Sequence, residues 1–302
     1  MTAKILLNPY ANRWNAAARW PRVESALRAA GLDFELAVSQ GPGDIVLLAE
    51  RAAQGGFSPI IAAGGDGTIG EAVNGLVRAS GATRGQSIPL GVLPLGTAND
   101  FAEHALRLPR DITIAVQVIA SGKIRQFDLG QVNERYFINN TAIGLEPYIT
   151  LIQGRIGWLK GVLRYLLAAV RGILDQPAWK AEMEWESGRY HGFVSLVSVC
   201  NAGRSGGVFF MSPHADPLDG KLTVVHGYRA SRLGIFRLLP QTMKPGLGSY
   251  VESPGISEFN CDWLQVRLDR PSPAHADGEI FSTAIQQLDY RIHPGRMPVL
   301  VP

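Results

Sequence analysis

The run Ile60-Ile61-Ala62-Ala63-Gly64-Gly65-Asp66-Gly67-Thr68-Ile69-Gly70-Glu71 constrains this chain more than any other stretch. It passes from an apolar strand through closely spaced glycines into helix-like sequence. Glycine, without a Cβ, lets the backbone turn sharply and come close to a ligand. A helix beginning near Thr68 aims free N–H groups and its positive dipole end at an anion. Asp66 adds a condition: a carboxylate inside a phosphate loop repels phosphate unless a cation lies between them. The loop therefore points to a magnesium-bound nucleotide.

The surrounding sequence places that turn in a parallel sheet. Strand signals at residues 4–7, 34–38, 59–63 and 88–93 alternate with helix signals at 14–30, 44–54 and 69–79, the order of an α/β domain with a mostly parallel sheet. Ligands of such sheets sit beyond the carboxyl ends of the strands, where Asn8-Pro9, Gly64 to Gly67 and Gly96 to Asp100 all fall. After about Gly122 the pattern changes to short alternating or apolar runs between turn residues, which predicts a mostly antiparallel β domain resembling a sandwich. The expected division is a nucleotide-binding domain over 1–123 and a β-rich acceptor domain over 124–302, whose last residues pack back on the first domain.

Composition narrows the class. Of 302 residues, 46% are hydrophobic and 18% charged, enough for a sizeable core. A net charge of +3 without a basic run or basic-aromatic interleaving gives no indication of nucleic acid. Cys200 and Cys261 are far apart and form neither a disulfide framework nor a zinc motif. The first residues enter a strand-like run with no leader pattern, so a cytoplasmic location is the expectation.

Residues 151–174, LIQGRIGWLKGVLRYLLAAVRGIL, are apolar but carry Arg155, Lys160, Arg164 and Arg171 along with Gly154, Gly157 and Gly161. That pattern suits a basic amphipathic helix lying in a membrane interface better than a spanning one. A helix packed on its own protein's sheet is the alternative.

Residues 65–70 also match G-x-G-x-x-G, the dinucleotide fingerprint. That motif normally follows the first strand and needs a carboxylate about 20 residues on, whereas here it follows the third strand and the next ends in Leu93-Pro94-Leu95. A Walker A motif is absent. The second turn, Leu93-Pro94-Leu95-Gly96-Thr97-Ala98-Asn99-Asp100-Phe101, is by itself explicable as a helix cap. Two such turns on one rim, each with glycine, threonine and aspartate, favour a shared phosphate and metal site.

Taken together, GGDGTIGEAVNGL at 64–76 and PLGTANDFA at 94–102 resemble the bacterial diacylglycerol kinase-like lipid kinases, relatives of sphingosine kinases and more distantly of NAD kinases. The resemblance includes Asn8-Pro9, Gly207, Pro213-His214-Ala215, Asp219-Gly220 and Asp277-Gly278-Glu279, and so covers nearly the whole chain. It implies the two-domain architecture of NAD kinases and diacylglycerol kinases, a magnesium-dependent transfer of the γ-phosphoryl group of ATP to a lipid hydroxyl, and a place in lipid metabolism.

By resemblance, Gly64, Gly65, Asp66, Gly67, Thr68, Ile69, Gly70 and Glu71 form the nucleotide loop, joined by Asn8, Ser39, Gly96 and Thr97. Asp66 and Asp100 are tied to the catalytic magnesium. Asp219 resembles the carboxylate ligand of a second magnesium, with backbone oxygens from Asp216 and Lys221, and Glu279 resembles the general base. A carboxylate suits that role because an alcohol must lose its proton as it attacks the γ-phosphate. Taken alone, both Asp-Gly pairs read as hairpin turns. Gly70 departs from the family, where asparagine is common. The implied partners are ATP and a lipid at a membrane surface, with peripheral contact on the inner face. A soluble acceptor such as NAD, or a regulator without catalysis, are the rival readings; the oligomeric state is not readable from the sequence.

Overall fold

The computed structural model describes residues 1–80, 87–159, 161–175 and 177–302. The chain divides into two compact units, one of Met1–Leu129, Arg135–Ile138 and His293–Pro302, the other of Gly130–Glu134 and Asn139–Ile292. Residue 123 thus lies inside the first unit, and the closing residues belong to that unit too.

The first unit runs β1 (Ala3–Leu7), α1 (Asn15–Ala29), β2 (Phe34–Val38), α2 (Asp44–Gln54), β3 (Ile60–Gly64), α3 (Asp66–Ala79), β4 (Leu90–Pro94), a π-helical turn (Phe101–Ala105) and α4 (Ile112–Ser121). Its strands pair in parallel in the order β4-β3-β1-β2. β3 and β4 are buried at every position, as a central parallel strand must be, whereas edge strand β2 leaves most of its residues partly or fully exposed. α2 and α3 pack closely because Gly75 has no side chain: a Cβ there would meet the Val46 carbonyl oxygen at 2.3 Å. α4 is set by Asp111, whose carboxylate caps the N–H groups of Thr113 and Ile114, and by Gly122 in the left-handed conformation at its end.

Past β5 (Ile124–Val132) and β6 (Arg135–Phe137), the second unit contains β7 (Asn140–Gly144), α5 (Leu145–Arg155), α6 (Gly161–Asp175), β8 (Trp179–Trp185), β9 (Gly188–Val194) and β10 (Leu196–Cys200). It continues with β11 (Arg204–Ser205), β12 (Phe209–Phe210), β13 (Leu222–Gly227), α7 (Arg232–Leu238), β14 (Ile256–Cys261), β15 (Trp263–Ala276) and β16 (Glu279–Leu300). The order β14-β13-β10-β7-β15 is antiparallel throughout, and β15 also pairs antiparallel with β8 and β16. The two units are therefore the expected α/β and antiparallel β architectures. β16 serves both: its last residues belong to the first unit, where Val299 lies opposite Leu90 of β4 in parallel.

The segment 151–174 is not one helix. The chain breaks between α5 and α6, with Ile156 extended at the C-terminus of α5, in a stretch where Gly154 and Gly157 weaken helix propagation. Ala168, Ala169 and Ile173 of α6 join Leu145 and Ile149 in a core cluster, while Leu163, Leu167, Val170 and Leu174 form an exposed stripe. α6 is thus apolar on two sides. Lys160 lies outside the described residues. No helix among the described residues is long and apolar enough to cross a membrane. Cys200 and Cys261 are buried free thiols, and burial pushes Cys261 up to about 12.

Candidate active site

Strand β3 ends directly in Gly64 and Gly65, and α3 begins at Asp66, two residues earlier than its expected start near Thr68. A glycine in the first turn costs a helix little, and an acidic residue there is favoured by the dipole. The N–H groups of Leu95 and Gly96 donate to the Gly64 carbonyl at 2.8 and 3.0 Å, so the turns after β3 and β4 are joined. Their backbones come so close that a Cβ on Gly96 would stand 2.3 Å from the Gly65 Cα. Only glycine fits at that crossing. Asn99, left-handed at φ 54°, closes the second turn by accepting from the Gly96 N–H at 2.9 Å and donating to its carbonyl at 3.2 Å.

Asp66 accepts the Phe101 N–H at 3.0 Å, so its carboxylate ties α3 to the π-helical turn that follows the second loop. Burial raises its pKa above the ordinary carboxylate value, with the backbone N–H groups of Phe101 and Asp100 opposing that shift. Asp100 is itself buried immediately before that turn. Asn8 donates to the Thr68 hydroxyl at 3.0 Å, and Thr97 donates to Asn12 at 3.2 Å. Ser39 is buried at the end of β2 and donates to the Gly41 carbonyl at 3.0 Å. In the first unit, the structure thus draws Asn8, Gly64 to Thr68, Gly96 and Thr97 together.

Three further residues assigned to the nucleotide loop lie past its first turn, inside α3. Glu71 is buried, and its two carboxylate oxygens accept the N–H groups of Gly43 and Ile45 at 2.9 and 3.2 Å, so its side chain caps α2. Ile69 is buried in the core. Gly70 lies inside α3, where its carbonyl accepts from Asn74, and Asn74 also bonds both backbone groups of Tyr136 in β6. Asn12 carried no local signal; its partner Thr97 is 85 residues away.

In the second unit, Asp277 and Gly278 form the left-handed turn between β15 and β16, at φ 48° and 81°, and Glu279 is the first residue of β16. Asp277 accepts the N–H groups of Asn139 and Asn140 at 2.9 and 3.2 Å, fixing the turn on β7. Asp216 and Asp219 lie in a separate turn, where Asp219 accepts the Lys221 N–H at 2.8 Å and the Lys221 ammonium pairs with Asp262 at 2.6 Å. Among the described residues no group of three or more His, Cys, Asp or Glu side chains converges on one point. The Asp216–Lys221 turn presents carboxylate and carbonyl oxygens, the donors that magnesium prefers, and its one ammonium, Lys221, is drawn off to Asp262, so the residues fit that ion in chemistry.

A buried pair escaped the sequence reading. Glu146, at the start of α5, faces His275 of β15 at 3.1 Å and accepts the hydroxyls of Ser198 and Ser205 at 2.9 and 2.8 Å. The His275 Nδ1 is buried without a hydrogen-bond partner.

Residues 2–132 match the family model of the diacylglycerol kinase catalytic domain, and residues 140–301 match that of the YegS C-terminal NAD kinase beta sandwich-like domain. A diacylglycerol kinase of Staphylococcus epidermidis is 30% identical over 278 residues, 92% of this chain and 85% of that protein. The chain belongs to the diacylglycerol kinase family. A diacylglycerol kinase of Bacillus subtilis is 29% identical over 92% of this chain and 89% of its own length. The crystal structure of a diacylglycerol kinase from Bacillus anthracis str. Sterne superimposes with a TM-score of 0.78, covering 100% of this chain and 97% of that one at 20% identity, which shows the shared fold. This family member is a kinase of the ATP-dependent lipid kinase class.

Proposed function

We propose that the protein transfers the γ-phosphoryl group of ATP to the hydroxyl of a lipid of the diacylglycerol, phosphatidylglycerol or sphingoid type. The observation that carries this reading is the joining of two glycine turns through Gly65 and Gly96, with Thr68 and Thr97 on the same rim, in a chain of this family. Backbone N–H groups of the first turn of α3 bind phosphate, and Thr68, Thr97, Asn8 and Ser39 supply further polar contacts. Asp66 and Asp100 would hold magnesium, which neutralises charge on the phosphates when bound. Asp219, with the backbone oxygens of Asp216 and Lys221, would hold a second, structural magnesium. Glu279 takes the proton of the acceptor hydroxyl.

The test is incubation of the enzyme with total lipid extract, ATP and magnesium, followed by mass spectrometry. A lipid gaining one phosphate is the expected product. Phosphorylation of NAD with no lipid product would replace the acceptor, and ATP turnover identical in wild type and Glu279→Gln would favour a regulator.

A lipid acceptor requires an approach to the bilayer. The exposed stripe of α6, the exposed Trp158 before it and the exposed Arg155 and Arg171 suit an anionic membrane surface. Arg164 is partly committed elsewhere, donating to the Gln153 carbonyl at 2.8 Å. Arg155→Glu combined with Arg171→Glu is expected to weaken sedimentation with phosphatidylglycerol vesicles by roughly tenfold or more. Unchanged sedimentation would remove this surface from the proposal.

A further inference from the structure

The loop between β1 and α1 holds an aromatic pair that none of the roles above uses. Asn12, Arg13 and Trp14 are consecutive, none is glycine, and all have left-handed backbone at φ 51°, 54° and 71°. A side chain disfavours that conformation, and three in succession persist only where the surroundings hold them. The holding contacts are specific. Asn8 accepts the Tyr10 N–H at 3.1 Å, the Tyr10 carbonyl accepts the Trp14 N–H at 3.2 Å, Asn12 accepts the Thr97 hydroxyl, and the Tyr10 hydroxyl donates to the Gln40 carbonyl at 3.2 Å. The loop is thereby pinned to the turn after β4 and to the end of β2 at once.

The rings that result are fixed but not buried. Trp14 packs edge-to-face on Tyr10, with centroids 4.3 Å apart and planes at 69°, yet remains 62% exposed. A lone exposed indole on a surface is ordinary. One braced by a second ring and hydrogen-bonded into the phosphate-binding rim is suited to stacking on a flat ligand group. In the sheet order β4-β3-β1-β2, the phosphate turns stand at β3 and β4, and β1 with its loop is the next strand along. A nucleotide whose phosphates occupy those turns and whose body runs along the rim meets this pair.

We propose that the Trp14 indole, buttressed by Tyr10, stacks on the purine base of the phosphoryl donor. The proposal rests on the reading of ATP as donor and adds the contact for its base. Stacking accepts any π-face, so Trp14 contributes affinity without distinguishing ATP from GTP.

Wild type, Trp14→Ala and Trp14→Phe are to be titrated calorimetrically with MgADP and with inorganic tripolyphosphate, and their thermal unfolding compared. Trp14→Ala is expected to bind MgADP about tenfold more weakly, Trp14→Phe to retain most of the affinity, and all three to bind tripolyphosphate equally. In turnover the loss appears in KM for ATP, by a similar factor for GTP, with kcat nearly unchanged. Equal MgADP binding by Trp14→Ala and wild type would overturn the proposal. So would a parallel loss of tripolyphosphate, which means a damaged loop, or a loss of vesicle sedimentation with MgADP binding intact, which assigns Trp14 to the bilayer. Wild type binding neither probe would instead remove the ATP reading on which the proposal stands.

Discussion

Glu279→Gln is expected to lower kcat by roughly 10²- to 10⁴-fold, the range a positioned general base contributes, while leaving MgADP affinity near that of wild type. Glutamine keeps the size and polarity of the side chain and loses the capacity to take a proton. The turn before it is held by other residues: Asp277 accepts two N–H groups of β7, and Gly278 adopts the positive φ that the turn requires. Single-turnover rates with a saturating lipid acceptor are the decisive measurement. A kcat within a few-fold of wild type would remove the proton-accepting role from Glu279. Loss of MgADP affinity together with rate would mean that the residue serves donor binding.

Glu146→Ala is expected to destabilise the second unit by about 3–5 kcal/mol, since deleting one partner of a buried pair strands the other. Here it would strand the His275 ring and the hydroxyls of Ser198 and Ser205, all arranged around that carboxylate. The pair also predicts a pH dependence. Burial by itself pushes the Glu146 carboxyl up, but His275 and the Ser205 and Ser198 hydroxyls together outweigh it and hold the group below its ordinary value of 4.5. A carboxylate whose folded pKa is depressed contributes stability in full above its unfolded pKa and loses it as pH falls through the folded value. The stability gap between wild type and Glu146→Gln is therefore expected to close on acidification below 4.5. Urea unfolding at several pH values tests this, and a gap independent of pH down to 3 would show that the Glu146 carboxyl is not held below its ordinary value.

Much of the first unit was legible because its signals are local. The spans expected at 34–38 and 44–54 coincide with β2 and α2, where apolar periodicity and bounding glycines mark both ends. α4 was missed although Asp111 and Gly122 bracket it, because its apolar residues are nearly continuous and show little period. Long-range contacts were less visible. Glu71 reads as part of the glycine loop, yet its carboxylate caps a helix whose first residues lie 28 and 26 positions earlier. The two turns themselves were legible as a pair, but not the Gly65–Gly96 crossing that joins them. The break between α5 and α6 was signalled by Gly154 and Gly157, which the basic apolar pattern around them obscured. Glu146 and His275 carry no common spacing, being 129 residues apart, and only the pairing of β15 with β7 brings their elements together.

The division of β16 between the units bears on how the chain is made. The first unit contains β1 to α4, yet its membership includes His293–Pro302, and only those residues give β4 its parallel neighbour Val299. Without them β4 presents an open edge, and closing the unit requires contacts between residues as far apart as Leu90 and Val299. The unit that carries the two glycine turns is thus assembled from segments far apart in sequence. A fragment cut at residue 129 would lack the segment that pairs with β4.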